Sequence, residues 1–430
     1  MTNQSTPDEP SNSVERRIKR TLTAIILLAL LWHPGRAGST DEAANPMFLF
    51  SGFGTLGVVH SSEEHADFAV SALNPNGAGF TRQWSPAVDS RIGAQINANF
   101  TPQISAVLQV ISEQNFDNTY SPHVEWANIR YQFTPDASVR VGRIVLPIFM
   151  LSDTRKVGYA LPRVRPPVEV YGLVPLTDSD GADASYSLHV GDFVNTVVGT
   201  YGKTSFRLPN GDATAKRSRV IADTLEYGPA TLHVAYLVST LDLNVSAVDG
   251  LFSALRQFGP AGTALANKYD VDNKLGQLLT VGGMYDPGRW FVRGEWATRN
   301  LHSAFGESTA WYVLGGYRLA KFTPSLTYAQ VKANSNTTDP GLIVSALPPF
   351  LAGPATALNA GLNSLLGTIA VQNTVTVSTR WDFMKDVDLK LQYDHTRLGA
   401  GSAGTLINVQ PDFRPGGTVN LFSAAIDFVW

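Results

Sequence analysis

Cysteine is missing from this chain of 430 residues. Without thiols the protein can form neither a disulfide framework nor a thiolate metal site or nucleophile. Charged residues are also scarce, because they make up 16% of the sequence, against about 25% in an average soluble domain. The formal net charge is −3, so the bulk composition gives no indication of nucleic acid as a partner.

Long apolar runs are also missing from the chain after residue 32. The longest later run extends from about Ile144 to Leu151. A membrane-spanning helix needs about 20 predominantly apolar residues. The sequence therefore predicts no transmembrane helix in the mature chain.

The N-terminus has the pattern of a secretory signal. Basic residues between 16 and 20 precede the apolar run 21–32, and Pro34 is followed by a small-residue site that ends at Ala37. This order of regions is typical of a cleaved export signal. We predict a signal peptide with a polar N-terminal extension over 1–37 and one domain over 38–430. A short N-terminal membrane anchor is the alternative.

Alternation of apolar and polar residues dominates the rest of the chain. Within 88–100, Ile92 and Ile96 fall on one face, whereas Arg91 and Asn97 fall on the other. A period of two with unlike faces predicts a β-strand between two different environments. Sixteen such segments occur, at about 47–60, 88–100, 103–113, 124–134, 138–150, 180–190, 192–205, 217–228, 230–242, 274–286, 289–300, 308–320, 322–334, 372–384, 387–398 and 418–430.

The connections between these segments alternate in length. Tight turns follow the even-numbered strands, and longer connections follow the odd-numbered ones, at 61–87, 114–123, 151–179, 206–216, 243–273, 301–307, 335–371 and 399–417. Two of these, 243–273 and 335–371, have partly helical character. Short turns alternating with long loops are typical of bacterial transmembrane barrels. The sequence therefore predicts an all-β fold, a transmembrane antiparallel up-and-down β-barrel of about 16 strands with long external loops.

Basic residues on the polar faces of the strands indicate what the barrel encloses. A soluble sandwich or a lipocalin-type barrel would carry apolar residues there. Because polar faces suit a water-filled lumen better than a dry core, a secreted soluble β-protein is the weaker alternative. The residues expected on the pore wall are Arg91, Arg130, Arg140, Arg293 and Arg380.

Together these features resemble the Gram-negative outer-membrane porins. The resemblance rests on the signal peptide, the sixteen-strand alternation, the sequence SGFGTLGVV in the first strand and a last strand that ends in an aromatic residue. That residue is Trp430, whereas the family usually ends in phenylalanine. The resemblance implies a passive outer-membrane diffusion channel for small hydrophilic solutes and ions, without catalysis or cofactor. It also implies a homotrimer in contact with outer-membrane lipid and lipopolysaccharide.

The third long loop, 151–179, corresponds by this resemblance to a pore constriction that folds into the lumen. Its prolines would stiffen a loop that must keep one shape inside a channel. Basic residues beside a narrow passage predict a mild anion preference. The alternative for any one cation is contact with a neighbouring subunit or with anionic lipopolysaccharide. The charged residues expected at the constriction are Asp153, Arg155, Lys156, Arg163, Arg165, Glu169, Asp178 and Asp180.

Motifs for cofactors, metals and catalysis are weak. GFGTLG has the order G-x-G-x-x-G, but neither a helix nor an acid about twenty residues further on follows it. We interpret its glycines as relief of crowding in a barrel strand. HSSEEH and DSDGAD miss the spacings of zinc and calcium sites, so no metal site is predicted. An outer-membrane hydrolase, or an adhesin with a plugged lumen, is the alternative function.

Overall fold

The structure, a computed structural model, describes residues 46–430. The predicted signal peptide, 1–37, lies outside the described residues, as do positions 38–45 of the predicted domain. Sixteen long strands, β1–β16, each pair antiparallel with the next along the chain, and β16 pairs back with β1 from Phe53–Val429 to Ser61–Leu421. The sheet is therefore a closed barrel, which confirms the predicted up-and-down architecture and its sixteen strands.

The sixteen strands have the following bounds: β1 Phe48–Ser61, β2 Arg91–Asn99, β3 Ile104–Ser112, β4 His123–Gln132, β5 Ala137–Val145, β6 Asp178–Val190, β7 Phe193–Leu208, β8 Gly211–Tyr227, β9 Ala230–Val245, β10 Lys274–Tyr285, β11 Trp290–Leu301, β12 Ser308–Tyr317, β13 Phe322–Ala333, β14 Gln372–Met384, β15 Val387–Leu398 and β16 Thr418–Val429. Three two-residue strands lie in the β1–β2 loop, at Asp67–Phe68, Ala78–Gly79 and Trp84–Ser85.

The long connection predicted at 206–216 is wrong. β7 and β8 remain paired up to Leu208 and Gly211, so only a two-residue turn joins them. Alternation of apolar and polar residues fades near this turn because small and polar residues occupy both faces of the strands, including the buried Thr204 and Ala213. The sequence pattern disappears there although the strand continues.

The connection between β5 and β6 also differs from the prediction. β5 ends at Val145, so residues 146–177, called here the β5–β6 segment, connect the strands instead of 151–179. The apolar run at 146–150 was predicted as the end of a strand, but its side chains pack in a cluster instead. The segment contains a 3₁₀ turn, Gly158–Ala160, and a one-turn helix, α1, Val168–Tyr171.

Helices occur in the two connections for which helical character was predicted. The β9–β10 connection contains α2, Ser246–Arg256, and α3, Gly259–Tyr269, and the β13–β14 connection contains α4, Pro349–Leu366. A 3₁₀ turn, Val344–Ala346, precedes α4. The three helices share one apolar cluster, which includes Phe252, Leu255, Ala266, Leu362 and Leu366. Among residues 46–430, no helix combines the length and the hydropathy that a membrane span requires.

The two faces of the barrel wall differ in composition. On β14–β16 the exposed side chains are apolar, among them Val377, Tyr393 and Ile426. Their neighbours along the strands, such as Gln392 and Asp427, are polar and buried. We call the exposed apolar face the outer face and the opposite one the inner face. An apolar outer face with aromatic pairs such as Phe193–Tyr227 near the short turns is typical of barrels in membranes.

The inner face is less polar than predicted. Between β8 and β13 its residues are mostly small or aliphatic, and they pack against the β5–β6 segment. The expectation that the inner face cannot pack a dry core is therefore wrong for this half of the wall. Alternating alanine and larger aliphatic residues leave room for Phe149 and Tyr171 of the segment. The packed wall residues are Val220, Ala222, Ala235, Leu237, Leu278, Ala297, Ala310, Leu314, Ala329 and Val331.

Glycines in the first strand make room for aromatic rings at the seam between β1 and β16. A Cβ atom on Gly54 would overlap the ring of Phe428, and one on Gly52 would overlap the ring of Trp430. These contacts support the interpretation of GFGTLG as relief of crowding. The seam joins the two ends of the described chain, so it closes the whole barrel.

We expect Gly54→Ala to lower the free energy of unfolding by about 1–3 kcal/mol, because overpacking displaces Phe428 from the seam. The midpoint of urea unfolding of the detergent-folded protein measures this effect. Gly199→Ala on β7 is the matched control, since its added Cβ would meet nothing within 4 Å. Equal losses in the two variants would contradict the prediction.

Candidate functional site

The β5–β6 segment is tied to the inner face of β11 by a buried carboxylate. Glu295, which is 3% exposed, accepts hydrogen bonds from the backbone N–H of Met150 (2.9 Å) and from the hydroxyl groups of Tyr312 (2.8 Å) and Tyr171. A buried carboxylate is stable only when donors satisfy its oxygens. Glu295 therefore joins both ends of the segment to one side of the barrel.

Arg165 forms the second tie, on the opposite side. Its Nε and Nη2 donate to both oxygens of Asp89, at 2.9 and 2.6 Å, and Nη2 also donates to Ser423 at 2.7 Å. Asp394 of β15 lies 3.4 Å from Nη1. Burial alone would lower the pKa of Arg165, but the charges of Asp89 and Asp394 and the hydrogen bonds to Asp89 together outweigh it, and the pKa is raised. This bidentate pair links the segment to the β1–β2 loop and to β15 and β16.

A third tie holds the 3₁₀ turn of the segment. Lys390 of β15 is fully buried and donates to the carbonyl oxygen of Gly158 at 2.6 Å and to Asp427 at 2.7 Å. Arg380 of β14 donates to the carbonyl oxygen of Tyr159 and lies 4.5 Å above its ring. Cations from the wall thus bind two backbone carbonyls of the turn, of which that of Gly158 also accepts the N–H of Leu161 at 2.8 Å.

Glu169 and Arg163 complete the contacts with β14 and β15. Glu169 accepts hydrogen bonds from Gln372 (2.7 Å) and Thr374. Arg163 lies 3.7 Å from Asp394, and burial lowers its pKa although Asp394 and Glu169 oppose this. The sequence analysis predicted that three charged residues would determine the electrostatic potential along the solute path: Arg163, Arg165 and Glu169. The structure instead buries all three, each at most 5% exposed, as ties between the segment and the wall.

An open cavity of about 410 Å³ lies between the β5–β6 segment and the wall formed by β1–β7. Lys156 lines this cavity, and its Nζ atom lies 2.7 Å from a carboxylate oxygen of Glu113 and 2.7 Å from one of Glu125. Arg91 is 3.8 Å from Glu113 on the other side. The ionisable groups that line the cavity are Arg91, Glu113, His123, Arg143, Arg155, Lys156, Arg165, Asp178 and Arg207.

The cluster around Lys156 stays ionised. Burial alone would lower the pKa of Lys156, but Glu113 and Glu125 outweigh it and the pKa is raised. Burial would likewise raise the pKa of Glu113, yet the charges of Lys156 and Arg91 bring it below its usual value. Each ion therefore stabilises the charged form of the others.

Arg155 differs from the other cations of the segment. Its Nη2 donates to the carbonyl oxygen of Pro175 at 3.1 Å. Among residues 46–430, no carboxylate oxygen lies within 4 Å of its guanidinium group. Burial lowers the pKa of Arg155, with Glu125 opposing, but an arginine stays charged at any ordinary pH. Arg155 thus presents an uncompensated positive charge to the cavity.

The other predicted constriction residues are dispersed. Asp153 is exposed on the segment, and Asp178 at the start of β6 lines the cavity, 3.7 Å from Arg143. Asp180 pairs with Arg143 at 2.7 Å, and unlike Arg143 it is not among the residues that line the cavity. The place of Asp180 at the constriction therefore stays a prediction.

The five predicted pore-wall arginines lie on the inner face but do not converge. Arg91 lines the cavity, and Arg380 holds the segment. Arg140 pairs with Asp183 at 2.7 Å and lies in register with Arg130 near the short turns. Arg293 donates to the sulfur atom of Met284 at 3.1 Å.

The sequence analysis did not identify the acidic residues that pair with the cations of the β5–β6 segment or bind its backbone. Glu113, Glu125 and Asp89 lie at strand ends or in an adjacent loop, and Glu295 occupies a strand whose polar residues were only counted as pore lining. For Glu125, the one hint in the sequence is that it lies two residues after His123 at the start of a strand. Nothing in one sequence indicates which distant cation each acid meets.

Comparisons with known proteins bear on the fold. No protein-family model matches the sequence, and no curated protein matches it. Among solved structures, the anion-selective porin from Comamonas acidovorans aligns at a TM-score of 0.52 and 11% identity, covering 89% of this chain and 99% of that chain. OmpT, an outer membrane protein of Vibrio cholerae, aligns at 0.51 and 11% identity, covering 90% and 99%.

A third similar structure is the outer membrane channel DcaP of Acinetobacter baumannii. It aligns at a TM-score of 0.50 and 12% identity, covering 89% of this chain and 97% of that chain. At such identities the likeness concerns the path of the backbone and not the chemistry of any site. The chain has the fold of the outer-membrane porins, a closed barrel of sixteen antiparallel strands.

Proposed function

We propose that the protein is an outer-membrane porin, a passive channel for small hydrophilic solutes and ions. The observation that carries this proposal is the pairing of an apolar outer face with an open, charged cavity on the inner side of a closed barrel. A barrel of this kind satisfies every backbone group in lipid and leaves a wet passage within. In this proposal the protein performs no chemistry and needs no cofactor.

The constriction in this proposal is the β5–β6 segment, which would fold into the lumen and narrow it. What supports this placement is the set of ties to the inner face of β11, β14 and β15 through Glu295, Arg380 and Lys390. The segment would close the side of the lumen next to β8–β13, where the wall is apolar. Solutes would then pass between the segment and β1–β7.

We further propose a mild preference for anions. Six of the nine ionisable groups lining the cavity are arginine or lysine, against two carboxylates and one histidine. Fixed charges act strongly in a narrow passage with low-dielectric walls. Homotrimer assembly, export by the signal at 1–37 and contact with outer-membrane lipid belong to the same proposal and rest on the porin fold.

Reconstitution tests the channel directly. Residues 38–430 refolded in detergent and inserted into a planar bilayer are expected to give stepwise conductance, in groups of three for a trimer. The reversal potential across a KCl gradient gives the sign of ion preference. Folded, inserted protein that conducts no ions would overturn the proposal and favour a plugged barrel.

Arg155→Gln is expected to reduce the anion-to-cation permeability ratio roughly threefold. We expect this change because a unit charge about 6 Å from a passing ion changes the free energy of that ion by on the order of 0.7 kcal/mol in a water-filled pore. Reversal potentials of the two proteins under the same gradient measure the change. Arg289→Gln, in the exposed turn between β10 and β11, is the control and should leave the ratio unchanged. An unchanged ratio in Arg155→Gln would remove this residue from the solute path.

A further inference from the structure

Apolar side chains form much of the wall of the cavity beside the β5–β6 segment. Thirteen of the 32 residues that line it are aliphatic, aromatic or proline, against nine that are ionisable. Inorganic ions gain nothing from such a wall, because contact between apolar surface and water is unfavourable. An apolar wall with a few polar groups, around a volume of about 410 Å³, is instead typical of a site for a small organic molecule.

The apolar wall is continuous with two packed clusters. Val88 and Val168 belong to the cluster that the β1–β2 loop forms with β15 and β16. Tyr171 and Leu176 belong to the cluster that joins the β5–β6 segment to β8–β13. Because these side chains already pack against their neighbours, an apolar ligand can bind without first ordering them, which lowers the free-energy cost of binding.

One free positive charge lies beside this wall. Four of the cations that line the cavity have a carboxylate oxygen within 4 Å: Arg91, Arg143, Lys156 and Arg165. Within residues 46–430, Arg155 and Arg207 have none. Arg207 is exposed, and its guanidinium group lies 5.6 Å from the ring centre of Phe116. Arg155 is half-buried and donates to the carbonyl oxygen of Pro175, the residue before Leu176.

The single charge and the apolar wall together select the chemistry of a ligand. A guanidinium group binds a carboxylate through two parallel hydrogen bonds. A dicarboxylate or a phosphate brings a second negative charge, which would meet Glu113, Asp178 or the apolar wall. The hydroxyl groups of a neutral sugar would lose hydrogen bonds to water against the same wall. A chloride ion would use the guanidinium group alone.

We propose that the cavity binds small monocarboxylates that have an apolar body, such as aromatic carboxylates. The carboxylate pairs with Arg155, and the apolar body covers Leu176 and Val168. Arg207, at the exposed end, attracts the anion from solution. The inference rests on the proposed channel function and names the solute class of that passage: the channel selects organic acids by their chemistry and not by size alone.

Calorimetric titration of detergent-folded residues 38–430 tests the site, with benzoate as the probe. Benzoate is expected to bind at least about tenfold more tightly than acetate, because acetate lacks the ring that covers the apolar wall. Benzamide has nearly the same shape as benzoate but no charge. It should bind about thirtyfold more weakly, since it forms no ion pair with Arg155.

Two substitutions separate the contributions of the charge and of the wall. Arg155→Gln is expected to weaken benzoate binding about thirtyfold. Leu176→Gln should weaken benzoate binding about fivefold and leave acetate binding unchanged, because only the ring contacts this side chain. Arg289→Gln, in the exposed turn between β10 and β11, is the control and should bind benzoate as the native protein does.

Equal affinity for benzoate and acetate would overturn the proposal, because the wall would then contribute nothing. Undiminished benzoate binding by Arg155→Gln would also overturn it, as would tighter binding of succinate or inorganic phosphate than of benzoate. Calorimetry needs no current, so it is independent of the bilayer experiment. A protein that conducts KCl but does not bind benzoate would remain a channel without this site. Benzoate binding by a protein that conducts no ions would keep the site and overturn the channel.

Discussion

Arg165→Met is expected to lower the free energy of unfolding by about 3–5 kcal/mol and to widen the channel. Arg165 is 2% exposed and contacts two carboxylates, those of Asp89 and Asp394. Removing the guanidinium group leaves Asp89 buried without its cation, whereas Asp394 keeps Arg163 at 3.7 Å, and a buried unpaired charge costs far more than the pair contributes. Because this tie also holds the β5–β6 segment, its loss should release one side of the segment from the wall.

Urea unfolding of the detergent-folded protein measures the first effect, and single-channel recording measures the second as larger and noisier conductance steps. Arg155→Met is the matched control, since it removes the same side chain from the same segment without leaving a carboxylate within 4 Å. The double variant Arg165→Met, Asp89→Asn should regain part of the lost stability. Equal stability of the two single variants would show that the pair with Asp89 does not hold the segment.

Lys156→Gln is expected to change the ion preference of the channel from anions towards cations, with a roughly tenfold change in the permeability ratio. The reason is that a fixed charge next to an ion in a pore changes the free energy of that ion by about 1 kcal/mol or more. The substitution leaves Glu113 and Glu125, each 2.7 Å from the ammonium group in the native protein, without their shared cation. Two carboxylates then dominate the middle of the cavity. Reversal potentials across a KCl gradient at pH 7 measure the change.

The same substitution should make the ion preference depend on pH. In the native protein the pKa of Glu113 is lowered, so its pairing is present at neutral and mildly acidic pH and is lost only as pH falls below the usual carboxyl range. Without Lys156, burial raises the pKa of Glu113 with only Arg91 opposing. The cation preference of the variant should therefore be weaker at about pH 5 than at about pH 7, because a carboxyl group with a raised pKa protonates at a higher pH than an ordinary one.

Lys156→Arg supplies the control for this experiment because it keeps the charge. Its ion preference should remain that of the native channel at both pH values. A Lys156→Gln channel with the native reversal potential would place the cluster outside the path of the ions. That result would leave the barrel intact as a channel and would require another passage for the solute.

The alternation of side chains was enough to predict the barrel. Segments such as 88–100 and 372–384 have one apolar and one polar face, and a strand of this composition is stable only between unlike environments. Sixteen strands and their long and short connections followed from that pattern, with the exception of 206–216. At that point small and polar residues occupy both faces of β7 and β8, and the alternation on which the prediction depends disappears.

The sequence drew attention to the charged residues of the third long connection, but it could not predict which partners they contact. Arg163 and Arg165 are of the same residue type as Arg155 and lie within ten residues of it. Only the positions of Asp89 and Asp394, 76 and 229 residues away from Arg165, make it a buried tie while Arg155 faces a cavity. Pairing over such separations depends on how the barrel closes, which no local pattern encodes.

What the sequence determined by itself is therefore the class of fold, because strand periodicity is a local property that each segment carries within about ten residues. What only the tertiary structure decided is which charges are neutralised, since that depends on contacts across the barrel. The apolar half of the inner face belongs to the second group: nothing local in the sequence indicates that Ala222 and Leu278 share one buried cluster with Phe149. The alternation of side chains within each strand determines that a barrel wall forms. Contacts between residues far apart in the sequence determine where the barrel leaves room for water and ions.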